Sequence, residues 1–367
     1  MKKRETYRRN KEKNRAELQA GAETLSSMPR ALNAALSTRC NLSCRMCEVR
    51  KIAWEIPRRT IDEIIGLFPF LERAVWQGGE VFLLDYFKEI LEAAAPYENL
   101  RHEITTSAHL ITPEWVKRID RVRMDLNISV DAVSREVYES IRRGASFGTL
   151  LEKLDLLAVL KDRGRRQVLV MIATVMESNY RQLEQFIEFA REHGFNRLIL
   201  QPVKGNFDNA ENIFFRNDIS ALGLIADKRP LIRKKAQEYG IELLDLLPVP
   251  EAGRATLDND EKEPGFLHPV EAEPREGESE LFCYAPWQQL FIEWGGSVYP
   301  HCLCLQDGTN EHKKLGSVLQ SSLDEIWNGT AMRSFRRKIK EGRMKEVCNP
   351  LCLSGAIDKS ARNLPLR

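Results

Sequence analysis

The sequence predicts an α/β fold in which six strand–helix units build a parallel sheet, followed by a small α+β domain. Three observations predict it. Between residues 31 and 203 short apolar strands alternate with amphipathic helices, the order that lays parallel strands side by side. The run from Gln167 to Thr174 is almost continuously apolar, as a strand covered on both faces requires. Beyond residue 281 the pattern changes to a small region that opens with a glycine-turned β-hairpin and holds five of the chain's 8 cysteines.

Composition bounds the rest. A chain of 367 residues with 43% hydrophobic content predicts two domains with a sizeable core. The expected divisions are a basic helical extension over 1–30, the strand–helix core over 31–225, a linker with a helix over 226–280 and the C-terminal domain over 281–367. No apolar run approaches a membrane span. The basic N-terminus has no apolar segment behind it, so it does not read as a secretory signal, and Glu5, Glu12 and Glu17 argue against an organellar presequence. A net charge of +2 gives no clear nucleic-acid signal. Eight cysteines without an export signal point to metal or redox chemistry in a reducing, cytoplasmic compartment.

Taken in order, residues 2–28 read as a charged helix with a solvated face, closed by Pro29. Residues 31–37 form the first strand. A helix follows from Arg59 to Phe70, with Thr60 as N-cap and Ile61, Ile64, Ile65 and Leu67 as its apolar face. The second strand, 74–77, ends in Gly78, Gly79 and Glu80, where paired glycines allow close backbone approach. The third strand ends at Thr106, Ser107 and Ala108, and the fourth at Ser129 and Asp131, which share one side of the strand. By themselves these two residues also fit a strand end and a helix cap. Arg142 and Arg143 lie at the end of the next helix. A fifth strand, the helix Tyr180–Glu192 stopped by Gly194, and a sixth strand over 197–202 complete the alternation, with Gln201 facing the mouth and Glu177 near it. Residues 206–217 read as a loop over that mouth, 227–239 as a basic helix and 248–280 as a linker rich in acids, proline and glycine. The C-terminal hairpin turns at Gly295 and Gly296.

The chemistry lies in the cysteines. Cys40, Cys44 and Cys47 follow the first strand with Cys-x3-Cys-x2-Cys spacing, a loop that wraps three corners of a cubane cluster. Cysteine-held clusters normally have four thiolates, and here no fourth cysteine is near, so one iron is left open for another ligand. A zinc site would want a fourth nearby Cys or His, and the nearest histidine downstream, His102, is remote in sequence. For the C-terminal cysteines a zinc ribbon is the alternative to iron–sulfur.

This loop, followed at the second strand by Gly-Gly-Glu, resembles the radical S-adenosylmethionine (radical SAM) superfamily. The resemblance implies a partial (β/α)6 barrel of TIM-like form. It implies that S-adenosylmethionine chelates the open iron and is cleaved by an electron from the cluster, and that the 5′-deoxyadenosyl radical so formed takes a hydrogen atom from substrate. It assigns Gly78, Gly79 and Glu80 to the cofactor's amino group, Ser129 and Asp131 to its pocket, and Arg142 or Arg143 to the methionyl carboxylate; Gln201 would join them at the mouth. The family often ends its third strand in Thr-Asn-Gly, and the departure at Thr106, Ser107 and Ala108 removes a glycine turn. The C-terminal region looks like the family's SPASM module or its shorter twitch form. Five cysteines are too few for the two clusters of the full module, so one auxiliary 4Fe–4S cluster is expected on Cys283, Cys302, Cys348 and Cys352. Cys304 is then spare, either an inert thiol or a hydrogen donor to a substrate radical. Two 4Fe–4S clusters, S-adenosylmethionine and an electron donor such as flavodoxin or ferredoxin are the implied cofactors and partners. The expected activity is oxidation of a small molecule of sugar or alcohol type with the auxiliary cluster as electron acceptor. Peptide crosslinking or epimerisation is the alternative, and a non-catalytic iron–sulfur carrier is the alternative from another class.

Overall fold

The computed structural model describes residues 2–47, 49, 52–160, 167–203, 210–249, 283–301, 304 and 313–348. Helix α1 (Lys2–Gln19) leads to β1 (Ala31–Ser37), α2 (Arg58–Leu67), β2 (Arg73–Gly78), α3 (Asp85–Ala94), β3 (Arg101–Thr106), α4 (Pro113–Ile119) and β4 (Arg123–Ser129). Then come α5 (Arg135–Ile141), α6 (Phe147–Leu157), β5 (Gln167–Val175), α7 (Leu183–Glu192), β6 (Arg197–Pro202), α8 (Ile219–Tyr239) and β7 (Glu242–Asp245). The C-terminal part holds α9 (Ala285–Gln288), β8 (Gln289–Ile292), β9 (Ser297–Tyr299), β10 (Gly316–Ser317), α10 (Leu323–Trp327) and α11 (Thr330–Lys340).

One sheet runs through the molecule in the order β10-β9-β8-β1-β2-β3-β4-β5-β6-β7. Strands β1 to β7 are parallel neighbours, so the predicted partial barrel is present with one strand more than the sequence predicted. The helix expected to begin at Asp227 begins at Ile219, and β7 follows it. The core therefore passes the predicted boundary at 225 and reaches the segment that Arg229 ties down. That guanidinium bonds Asp245 at 2.7 Å and the Leu247 carbonyl at 2.5 Å. The larger surprise lies at the other edge. Strand β8 pairs in parallel with β1, from Ala31 opposite Gln289 to Ala34 opposite Ile292. The C-terminal hairpin is thus a continuation of the barrel sheet. Its turn is the predicted one, with Gly295 and Gly296 at φ of 103° and 84°, a region that suits glycine.

The two faces of the sheet differ. Ala74 and Trp76 of β2, and Met124, Leu126 and Ile128 of β4, lie in the main apolar core against the helices. Their alternates point to the inner face. Over β2 to β4 that inner face is polar and partly open to solvent; Thr105, in the middle of the sheet, is exposed. Over β5 to β7 it is lined by a separate apolar cluster that includes Val170, Ile172 and Ile199.

Helix α1 ends at Gln19, not near 28, and it is not a solvated extension. Asn10, Asn14 and Leu18, four residues apart, are buried. Asn10 exchanges two hydrogen bonds with the Met28 backbone, at 2.8 and 3.1 Å, and Asn14 donates to the Trp287 carbonyl at 2.6 Å. Lys3 stacks over Tyr97 and Lys11 approaches Glu72, so the helix crosses the N-terminal ends of β2 and β3 and closes the barrel floor. Helix α2 also starts differently: Pro57 precedes it, and Thr60 is buried inside it, not at its cap.

His102 gives a test of the core. It is buried, stacked on Trp76, and accepts the Trp76 indole N–H on Nδ1 at 2.9 Å. Burial pushes its imidazole from 6.5 down to about 3. The folded value lies below the unfolded one, so the unfolded chain binds the extra proton in that window. Stability is full above pH 6.5 and falls as pH drops toward 3, by about 1.4 kcal/mol per pH unit. His102→Asn keeps an acceptor for Trp76 and should remove one proton from this slope, read by urea unfolding across the same window.

Candidate functional site

The C-terminal ends of β1 to β6 gather most of the residues the sequence singled out. The cysteine loop leaves β1 and is held from two sides. Its Ser43 and Arg45 amides donate to the Arg143 and Ile141 carbonyls at 2.8 and 2.9 Å. Beneath it, the Gly79 amide donates to the Ser37 carbonyl and the Glu80 amide to the Arg39 carbonyl, both at 2.8 Å. The approach is close enough to exclude a side chain. A Cβ on Gly79 would stand 2.8 Å from the Thr38 carbonyl oxygen and nearer still to the Arg39 carbonyl. The paired glycines therefore let the end of β2 serve as the bed of the cysteine loop.

Glu80 is buried between the ends of β2 and β3. Its carboxylate is 1% exposed and accepts from the Thr106 hydroxyl at 2.8 Å and from the Ser107 amide and hydroxyl at 3.0 Å. Burial pushes its pKa up, and the Ser107 and Thr106 donors oppose that. The side chain thus clamps the ends of β2 and β3 together. The glycine turn is also not lost: Ala108 adopts a φ of 66°, and Ser107 supplies donors to Glu80.

A second buried charge system lies under Cys44. Asp131 is fully buried, accepts from the Thr174 amide at 2.8 Å, and pairs with Arg142 at 2.7 Å. The other outer nitrogen of Arg142 reaches the Cys44 sulfur at 3.8 Å. Burial works against the Arg142 charge, yet Asp131 and Cys44 hold its pKa above the usual value. Burial likewise pushes the Cys44 thiol up, and the guanidinium pulls it back. The two outer nitrogens of Arg142 thus tie Asp131 to the cysteine loop. Arg143 is exposed and lends only its backbone.

Ser129 closes β4 and Gln201 lies near the end of β6. The Ser129 hydroxyl makes no hydrogen bond among the described residues, and Gln201 donates to Thr174 at 3.1 Å while its buried Oε1 has no partner. Glu177 is used up in ion pairs with Arg216 and Arg181. One contact had no sequence signal. Arg45, inside the cysteine loop, pairs at 2.7 Å with Glu211 from the turn before α8, and Ser178 donates to that same carboxylate. Nothing marks Glu211 among 53 acidic residues until the fold brings it there.

The C-terminal cysteines lie elsewhere. Cys283 and Cys348 pack against the main core, and Cys304 follows β9 toward the barrel floor, its amide donating to His301. Tyr299 is level with Asn33 through Phe291, so the chain passing His301 descends while the cysteine loop rises beyond Ser37. By strand rise the two regions are about 20 Å apart. Cys302 and Cys352 lie outside the described residues.

Two family models match the chain: the radical SAM superfamily over residues 35–196 and an iron–sulfur cluster-binding domain, SPASM, over residues 283–353. The chain belongs to the radical SAM superfamily. Among relatives, a GTP 3′,8-cyclase of Limosilactobacillus fermentum is 24% identical over 251 residues, which are 64% of this chain and 70% of the relative. Among solved structures, Streptococcus suis SuiB superposes with a TM-score of 0.59 at 17% identity over 89% of this chain and 71% of its own. The structure of anSMEcpe with bound AdoMet superposes with a TM-score of 0.58 at 14% identity, over 92% of this chain and 93% of its own.

A radical SAM enzyme of this type uses S-adenosylmethionine and 4Fe–4S clusters. The loop fits such a group. Its three thiols are accessible or half-buried, and sulfur receives donors: the Leu42 amide on Cys40 at 3.4 Å and Arg142 on Cys44.

Gly79→Ala should destabilise the fold by about 1–3 kcal/mol through overpacking and lower the iron and sulfide bound per chain. Gly66→Ala, in open space on α2, should instead stabilise by about 0.5–1 kcal/mol with cluster content unchanged. Arg142→Gln leaves Asp131 buried and unpaired and should cost about 3–5 kcal/mol in chemical denaturation.

Proposed function

We propose that this radical SAM enzyme oxidises a small polar molecule of sugar or alcohol type held inside the open barrel, between the cysteine loop and the C-terminal hairpin. The observation that carries the reading is the solvent-open, polar inner face, with Thr105 exposed at its centre and Gln77, Glu103 and Asp125 partly open beside it. A surface rich in hydrogen-bonding side chains suits a hydroxylated ligand. The likeness to a GTP 3′,8-cyclase, whose name gives a small polar substrate, supports it. When bound, the clusters and S-adenosylmethionine supply one-electron chemistry and hydrogen-atom abstraction. In this reading Cys40, Cys44 and Cys47 hold the loop cluster. Gly78, Gly79, Ser129 and Gln201 offer the cofactor its surface, while Glu80, Asp131 and Arg142 keep that surface in place. Cys283, Cys302, Cys348 and Cys352 would hold the auxiliary cluster, which would supply an electron acceptor for a two-electron oxidation.

A peptide substrate is the second reading, favoured by the fold shared with SuiB, which has been solved bound to its precursor peptide SuiA. The two part in one experiment. Anaerobically reconstituted protein is reduced with dithionite and assayed for 5′-deoxyadenosine with a hydroxylated small-molecule pool and with a peptide pool. Stimulation by the small-molecule pool, reduced to background in Cys44→Ala, is the expected result. Stimulation by peptides alone would overturn the small-molecule reading.

A further inference from the structure

We infer that the floor of the barrel carries an anion subsite centred on the Arg73 guanidinium, which takes a carboxylate or phosphate borne by the substrate. The occupant rests on the small-molecule reading above; the subsite does not. Ala74 and Trp76 turn to the helix-side core, so Arg73 shares the inner face with Val75 and Gln77. The sheet register sets Arg73, Arg101 and Arg123 in one row on three adjacent strands. Two of the three are accounted for. Arg101 is gripped by Asp125 through two nitrogens, and Arg123 is exposed. The Arg73 side chain makes no ion pair or hydrogen bond among the described residues, and its Nε is buried without an acceptor.

An unpaired, partly buried guanidinium is unfavourable in the ligand-free fold. The same chain shows how it treats a structural arginine. Arg229 has Asp245 and two carbonyls, Arg336 has the Pro286 and Glu23 carbonyls and the Trp327 ring, and Arg30 has Glu72. Among the described residues Arg73 alone of these four has no partner, and it lies on the inner face with Val75 and Gln77. A guanidinium fork binds carboxylate or phosphate with two parallel hydrogen bonds. From Arg73 to the end of β2 at Gly78 the strand climbs about 16 Å. A substrate anchored by its anion at the floor therefore presents its other end toward the cysteine loop.

The test uses the full chain with its clusters loaded and two probes, inorganic pyrophosphate and succinate, each titrated calorimetrically. Wild-type protein should bind at least one; pyrophosphate alone points to a phosphate-bearing substrate and succinate alone to a carboxylate-bearing one. Arg73→Gln should weaken the binding at least about tenfold, as loss of a charge-assisted pair predicts. Arg73→Lys, with charge kept and fork lost, should fall between. Arg73→Gln should also melt no lower than wild type, because it removes an uncompensated charge. Binding to neither probe, equal binding by wild type and Arg73→Gln, or a lower melting temperature in Arg73→Gln would each overturn the subsite. If binding depends on Arg73 while only peptides stimulate 5′-deoxyadenosine, the subsite stands and the small-molecule reading fails.

Discussion

The end of β2 lies so close to the end of β1 that Gly79 has no room for one more carbon atom. Everything at the mouth follows from that contact. It fixes where the chain leaves β1, and therefore where Cys40 begins its loop. The second anchor is electrostatic. Asp131, deep at the end of β4, holds Arg142, and Arg142 reaches the Cys44 sulfur. A loop carrying three sulfurs for a multi-iron group must keep its backbone still while those side chains stay reachable. Here stillness comes from carbonyls and buried charge on neighbouring strands.

The residues that resemble family motifs divide into two kinds. Ser129 and Gln201 keep unused polar capacity at the mouth. Glu80, Asp131 and Arg142 are consumed by one another and by strand ends. A motif read from sequence cannot separate these kinds, because both are polar residues at the same strand positions. Only hydrogen-bond partners tell a ligand-facing side chain from one that positions its neighbours.

The floor is organised differently from the mouth. Helix α1 crosses it, using Asn10 and Asn14 to pair with backbone from Met28 and Trp287. The segment between α1 and β1 is then gripped by the C-terminal part, where Trp327 donates to the Ser27 carbonyl and Asn328 pairs with Leu25. With β8 added to β1, the hairpin and the barrel share a sheet, and the two predicted domains meet without a hinge between those strands. The inner face of the sheet thus runs from helix α1 at the floor to the cysteine loop at the mouth.

Local pattern alone settled the parallel core, the cysteine loop after β1 and the Gly295–Gly296 turn, because strand periodicity, cysteine spacing and positive φ are properties of short stretches. It missed the burial of α1, whose hidden stripe is asparagine and so shows no apolar period, and it missed β7, only 4 residues long after a basic helix. Tertiary structure alone decided that β8 joins β1, that Glu211 meets Arg45, and that Arg73 has no partner among the described residues. Each of these depends on which distant residue arrives at a given place, and a partner's arrival leaves no mark on the residue that waits for it.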